Sequence, residues 1–224
     1  MFIGHFALGF AAKPLAPRTS LATLMVAAQL VDLVWPILLL LGIESVRVAG
    51  GTDPFLVLDF VHYPWTHSLL MGVVWAVAFA LLYRARTGNS RGAAVCAALV
   101  ISHWVLDLLT HRPDLPLVPG GSARVGLGLW NSVPATVAVE SAMYLAGILV
   151  YARTTRARDR AGSIGFWSFA AFLVVIYLGS IAGPPPSSTA VAWVSLLLWA
   201  LVPWIAWFDR HRAPRTQASS PQSS

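Results

Sequence analysis

Charge is what this chain has least of. Only 11% of its 224 residues are charged against 57% that are hydrophobic, and its apolar runs reach the ~20 residues needed to cross a bilayer. That excludes an ordinary soluble domain and predicts a multi-pass membrane protein. Cysteine is almost missing: Cys96 stands alone inside an apolar run, so no internal disulfide can form. Residues 1–12 lack the basic n-region of a cleavable signal peptide, and no clear cleavage site follows the first long apolar run, which is expected to stay as an anchor. No repeat of fixed period is present, and the last two apolar runs hold no ionisable residue. The net charge of +6 comes from arginines set between the apolar runs. Such placement suits cytoplasmic loops, so no nucleic-acid partner is expected.

What is present is a series of apolar runs. Six spans are predicted, over residues 20–42, 66–83, 92–111, 130–151, 164–182 and 190–208. Before them, residues 1–12 are apolar but too short to span and end at Lys13 and Pro14, which reads as a half-helix or interfacial segment carrying His5. The predicted fold is all-α, a polytopic membrane helical bundle. It forms one transmembrane domain over 1–212, and 213–224, rich in Pro, Gln and Ser, is expected to be a disordered cytoplasmic tail.

Orientation follows from the basic residues. Lys13 and Arg18, then Arg84, Arg86 and Arg91, then the arginines from 153 to 160, then Arg210, Arg212 and Arg215 fall in alternate connections. The other connections hold Glu44, Asp53, Asp59 and Asp114 with few arginines. By the positive-inside rule both termini are expected in the cytoplasm. The outer connection 43–65 is aromatic and aliphatic, suiting a segment that lies on the interface as a lid. The connection 112–129 should be an ordered loop rich in Pro and Gly. Trp193, Trp199, Trp204 and Trp207 read as lipid-facing or belt positions.

Against this apolar background the few ionisable groups inside the spans are conspicuous. On a helix His103, Asp107 and His111 fall on one face, with no Lys or Arg between Arg91 and Arg112 to neutralise them. At ~1.5 Å rise per residue, Asp32 and His103 lie roughly 17 Å from the arginine-rich face and Asp107 roughly 23 Å. His67 enters from the other face, and Glu140 lies roughly 15 Å below it. Carboxylates at membrane depth cost ~2.5 to 3.5 kcal/mol each unless partnered. Imidazole with carboxylate suits a divalent cation, with Zn or Mn foremost. Asp32, His67, His103 and Asp107 are the candidate metal ligands; Glu140 and Asp107 are candidate catalytic carboxylates; His5, His62 and His111 form a second tier.

Several of these residues stand in recognisable motifs. Gly4-His5, the Asp32 region, Thr66-His67-Ser68-Leu69 preceded by His62, and Ser102-His103 with Asp107 and Thr110 together resemble the bacterial membrane-bound family of metal-dependent hydrolases over the first half of the chain. That family shows Pro-Asp-x-Asp where this chain has Val31-Asp32-Leu33-Val34, and His-Arg-Gly where it has His62-Tyr63-Pro64. The resemblance implies Asp32, His67, His103 and Asp107 as functional residues, with His5 and His62 next. It also implies a hydrolase; the placement of the cluster in the outer half of the membrane suggests a lipid or lipid-linked phosphate or ester as its substrate. The alternatives left open are a transporter or ion pathway using the same cluster, and an accessory membrane protein with a structural metal.

Overall fold

The computed structural model of the protein describes residues 1–49, 53–183 and 187–215. The chain opens with α1 (Ile3–Ala11), followed by α2 (Leu21–Ala28) and α3 (Leu30–Leu40). A hairpin of β1 (Ser45–Val48) and β2 (Leu58–His62) leads to the single turn α4 (Pro64–His67). Next come α5 (Leu69–Thr87), α6 (Ser90–Thr110), the short pair β3 (Leu115–Pro116) and β4 (Arg124–Val125), and α7 (Val133–Thr154). The last part holds β5 (Thr155–Ala157), α8 (Arg160–Ala182), α9 (Ser188–Leu196), α10 (Leu198–Arg210) and β6 (Arg212–Pro214). Among the described residues five helices are long and apolar enough to cross a membrane: α5, α6, α7, α8, and α9 with α10 as one run. The bent pair α2 and α3 makes a sixth. An all-α polytopic bundle is thus what these residues build.

Local chemistry sets the helix starts. Ser20, Asn89, Ser132, Asp159 and Ser187 each accept a hydrogen bond from the backbone N–H three residues on, as capping side chains do. Gly88 ends α5 at φ +69°, a left-handed conformation open to glycine at little cost. The spans run within a few residues of the sequence reading.

Two of the predicted spans are not straight. The run 20–42 breaks at Gln29, and its halves meet at 56°. No glycine or proline marks the break. Contacts from elsewhere hold it: His103 Nδ1 donates to the Ala28 carbonyl at 2.9 Å and Trp199 Nε1 to the Leu33 carbonyl at 3.0 Å. The head of the second span is likewise separate, because Ser68 is extended and caps α5, leaving His67 on α4.

The half-helix α1 is drawn into the bundle rather than lying on an interface. Ile3, Phe6 and Phe10 recur at helical spacing and enter a core with Tyr144, Tyr151, Phe166 and Phe169. Phe10 lies 5.4 Å from the Tyr151 ring and 5.8 Å from that of Phe166. Gly147 lets α7 close on α1, since a side chain there would reach to 2.8 Å from Ala7 Cα. A second apolar cluster, with Ala27, Ala28, Cys96, Leu99 and Val100, fills the space between α2 and α6.

The connections gather at two ends. At one, Lys13 Nζ donates to Asp209 Oδ2 at 3.1 Å and to the Thr19 carbonyl at 2.9 Å, Thr19 meets Tyr83 at 2.9 Å, and β5 pairs with β6. The Arg212 guanidinium stands 4.7 Å over the Phe166 ring. All four basic connections therefore meet at one end. Ala213 and Pro214, read from the sequence as tail, belong to β6, while 216–224 fall outside the described residues. At the opposite end, residues 43–65 form a hairpin and not a flat interfacial segment. Val46 pairs with Phe60, Arg47 with Asp59 and Val48 with Leu58, so alternate side chains separate an apolar face from the exposed Arg47–Asp59 ion pair. Of the four tryptophans read as lipid-facing, Trp193, Trp199 and Trp207 are exposed, but Trp204 packs on α8 with its ring 5.3 Å from both Phe169 and Phe172.

Candidate metal centre

His103 and Asp107 stand one turn apart on α6, as their spacing requires, and both are buried. His103 Nε2 lies 3.2 Å from Asp107 Oδ2. The bend at Gln29 aims Asp32, in the first turn of α3, at the same point: Asp32 Oδ1 is 3.6 Å from His103 Nε2 and 3.3 Å from His67 Nε2. His67 Nε2 is in turn 4.0 Å from Asp107 Oδ2. The four residues singled out for metal ligation thus converge, although α3, α4 and α6 supply them separately.

The far side of each ring decides what the near side offers. The Ala28 carbonyl can only accept, so His103 carries its proton on Nδ1 and turns a bare Nε2 toward the two carboxylates. His103 Nε2 is buried with no hydrogen-bond partner among the described residues. At His67 a relay does the same. Thr66 Oγ1 donates to Glu44 Oε2 at 2.7 Å and therefore accepts from His67 Nδ1 at 2.7 Å, which leaves Nε2 facing Asp32. Two lone pairs and two carboxylates facing one another repel unless a cation or proton lies between them. A carboxylate or carbonyl behind each imidazole is the arrangement that orients histidine ligands. The donor set therefore fits a divalent cation.

His5 adds a third ring. It stacks on His103 with centroids 3.6 Å apart and 4° between planes, and its Nε2 lies 3.2 Å from Asp107 Oδ1. The Met1 α-amine donates to the same oxygen at 2.9 Å. Two ligand groups result, His5 with His103 and Asp107, and Asp32 with His67 and His103, each with its ligand atoms within 4.8 Å of one another. They share His103, whose only free nitrogen can serve one ion. A single ion would sit at Asp32, His67 and His103, with Asp107 Oδ2, 3.2 Å from His103 Nε2 and 4.0 Å from His67 Nε2, as the fourth donor and His5 on the other oxygen of Asp107.

The centre opens on a cavity of about 250 Å³. Asp32, His67, Asp107, His111 and Glu140 line it on the polar side. Phe60 and Leu58 from the hairpin cover it with Phe55, which fits the lid expected of this connection. Three further lining residues, Trp35, Trp130 and Tyr177, each have a buried donor without a partner among the described residues. Tyr177 was invisible to a search for ionisable groups, since α8 contributes only its phenol here.

The remaining candidates divide. Glu140 lines the cavity, yet its Oε2 accepts from the Phe2 and Gly4 amides at 2.9 and 3.2 Å, at the N-terminus of α1. It lies in neither ligand group. His111 leaves the stripe: it is the residue after α6, and its Nδ1 lies 2.9 Å from Asp114 Oδ1. Tyr63 also donates to Asp114, at 3.3 Å, and burial pushes the Tyr63 phenol up, keeping it a donor. His62 does not belong to the site. It ends β2 exposed: plain alternation would set it on the same face as Phe60, but the register shifts between Ser45 and Val46, with Val61 the extra residue between Phe60 and His62. Glu44 and Asp114 were read only as acidic loop residues. Asp114 had position as its one signal, three residues after His111, whereas Glu44, 22 residues before Thr66, had none.

No family model matches the chain, and neither does any curated protein or solved structure. The likeness to the metal-dependent hydrolases stands on the quoted motifs alone.

Proposed function

We propose that the protein is a membrane-embedded hydrolase, dependent on one divalent cation, that cleaves a phosphate or ester bond in a lipid or lipid-linked substrate. The observation that carries this reading is the pair of imidazoles whose tautomers are set from behind so that both Nε2 atoms, with two carboxylates, face one point at the edge of a cavity. Asp32 Oδ1, His67 Nε2, His103 Nε2 and Asp107 Oδ2 would hold the ion. Zn or Mn suits such nitrogen and oxygen donors, and bound there it supplies Lewis acidity and a water of lowered pKa.

The protein's own groups handle protons and fit. Asp107 Oδ1 is taken by the Met1 amine and His5, and its Oδ2 would bind the ion, so it serves as a ligand and not as a base. Glu140 Oε1 is unclaimed and faces the cavity wall, where it can take a proton. His111, whose Nδ1–H is given to Asp114, offers Nε2 as an acceptor that can take a hydrogen bond from water or substrate. The buried donors of Trp35, Trp130 and Tyr177 suit a substrate rich in acceptor oxygens. Tight apolar packing of Ala28, Cys96, Leu99 and Val100 below the site favours a closed reaction chamber over a pathway through the bundle.

The arginine-rich end is proposed to face the cytoplasm of a bacterial cell, with both termini there and the centre in the outer half of the inner membrane. The test is to incubate wild-type and His103→Ala protein with phospholipid and prenyl-phosphate substrates, with and without chelator. Turnover lost on both treatments supports the reading. Turnover that survives both rules it out, and a bound metal without turnover of any substrate points to a structural site.

A further inference from the structure

The cavity beside the metal centre has a chemistry of its own. One wall is built by Trp35, Phe60 and Trp130, with Phe60 5.7 Å from Trp35 and 6.1 Å from Trp130, nearly parallel to the latter at 20°. A second group of rings lining it is Phe2, Phe55 and Tyr177, with Tyr177 6.5 Å from Phe2 and 6.4 Å from Phe55. Three carboxylates, Asp32, Asp107 and Glu140, line it as well, and among the described residues no Lys or Arg does. The Met1 α-amine, which also lines it, is already bonded to Asp107.

We propose that this cavity binds a quaternary ammonium group, the choline type of lipid headgroup, and so selects the substrate. The inference rests on the hydrolase reading for what becomes of the ligand, but binding stands apart from turnover. Aromatic faces attract a cation through the negative charge above the ring, and a quaternary ammonium needs no hydrogen-bond acceptor, so a cage of rings suits it better than it suits a primary amine or an anion. An ion held by Asp32 and Asp107 leaves Glu140 as the carboxylate free to balance that charge. At about 250 Å³ the space falls just below the ~300 to 1,000 Å³ of drug-sized sites. It admits a headgroup, with the acyl chains left in the bilayer. The hairpin residues Leu58 and Phe60 close one side, so entry is sideways from the lipid.

The experiment is equilibrium dialysis of the purified, metal-loaded full chain in a non-ionic detergent. The probes are choline, tetramethylammonium and 3,3-dimethylbutan-1-ol, the neutral carbon isostere of choline. Parallel nanodiscs of phosphatidylcholine or phosphatidylglycerol separate a lipid headgroup from a free ammonium compound as the source. Choline and tetramethylammonium should bind at least about tenfold more tightly than the isostere, and Trp130→Leu should weaken choline binding by about tenfold. Phe55→Leu, in the second group of rings and partly exposed, should do the same, and serves if the first variant misfolds. Equal binding of the isostere, or choline binding unchanged in a folded variant of either group, overturns the proposal. Choline binding without turnover of any choline lipid keeps it and sinks the hydrolase. Turnover of phosphatidylglycerol with no choline binding does the reverse.

Discussion

Thr66→Val removes one hydroxyl and cuts the relay behind His67 at its middle. In the native chain Thr66 Oγ1 sits 2.7 Å from both Glu44 Oε2 and His67 Nδ1. Valine nearly preserves the volume, and Glu44 keeps its bonds from the Trp65 and Thr66 amides at 2.8 and 2.9 Å. The loss therefore falls on His67, whose buried Nδ1–H is left unpartnered at a cost of ~1 to 3 kcal/mol. Its ring is then free to rotate or to exchange tautomers. Removing the partner behind a ligating histidine typically costs ~10- to 100-fold in metal affinity. At saturating ion that is about 1.4 to 2.8 kcal/mol of metal-linked stability. For a chain of this size it translates into a melting shift on metal addition smaller by about 3 to 11 °C. The assay is Zn affinity by chelator competition in detergent, together with melting with and without metal. Thr66→Ser, which keeps the hydroxyl, should bind like the wild type. Full affinity in Thr66→Val, or equal loss in Thr66→Ser, would refute the ligand role of His67 Nε2.

Three other outcomes follow from the ends of the bundle. A cysteine placed near Arg156 should stay unlabelled by an impermeant reagent in intact cells and react once they are opened; labelling from outside would reverse the orientation. Lys13→Met should cost about 1 to 3 kcal/mol in unfolding, because Asp209, at 10% side-chain exposure, loses its cationic partner while keeping its bonds from the Leu21 amide and the Tyr151 hydroxyl; a cost under about 0.5 kcal/mol would contradict this. His211 beside Asp159, at 2.7 Å, holds the Asp159 carboxyl below the usual range. Its contribution is thus present above pH 3.8 and lost as pH falls below it. The melting difference between wild type and Asp159→Asn should therefore shrink on acidification below that point, and a difference that grows there would contradict the sign.

How much of this was legible in the sequence depends on where each residue's partner comes from. The helix starts were local matters of Ser, Asn and Asp caps, and the alternation of arginines needed no tertiary knowledge. His103 and Asp107 announced themselves by spacing on one helix, and Asp32 and His67 by depth. The break at Gln29 was illegible because only His103 and Trp199, from distant helices, hold it open. The hairpin is hard to read because its alternating pattern is short and mixed with aromatics, and His62 lies beyond the register shift that follows Phe60. Glu44 and Glu140 show the limit most clearly. One acid lay in a loop and the other in the middle of a span, so sequence gave them unrelated roles. In the folded chain each accepts backbone N–H bonds at the start of a short helix, Glu44 from Trp65 and Thr66 on α4, Glu140 from Phe2 and Gly4 at α1. Each of those helices delivers one histidine to the centre, His67 and His5. A carboxylate at a helix N-terminus interacts favourably with the helix dipole, so both acids position the centre through helices too short to hold their place unaided.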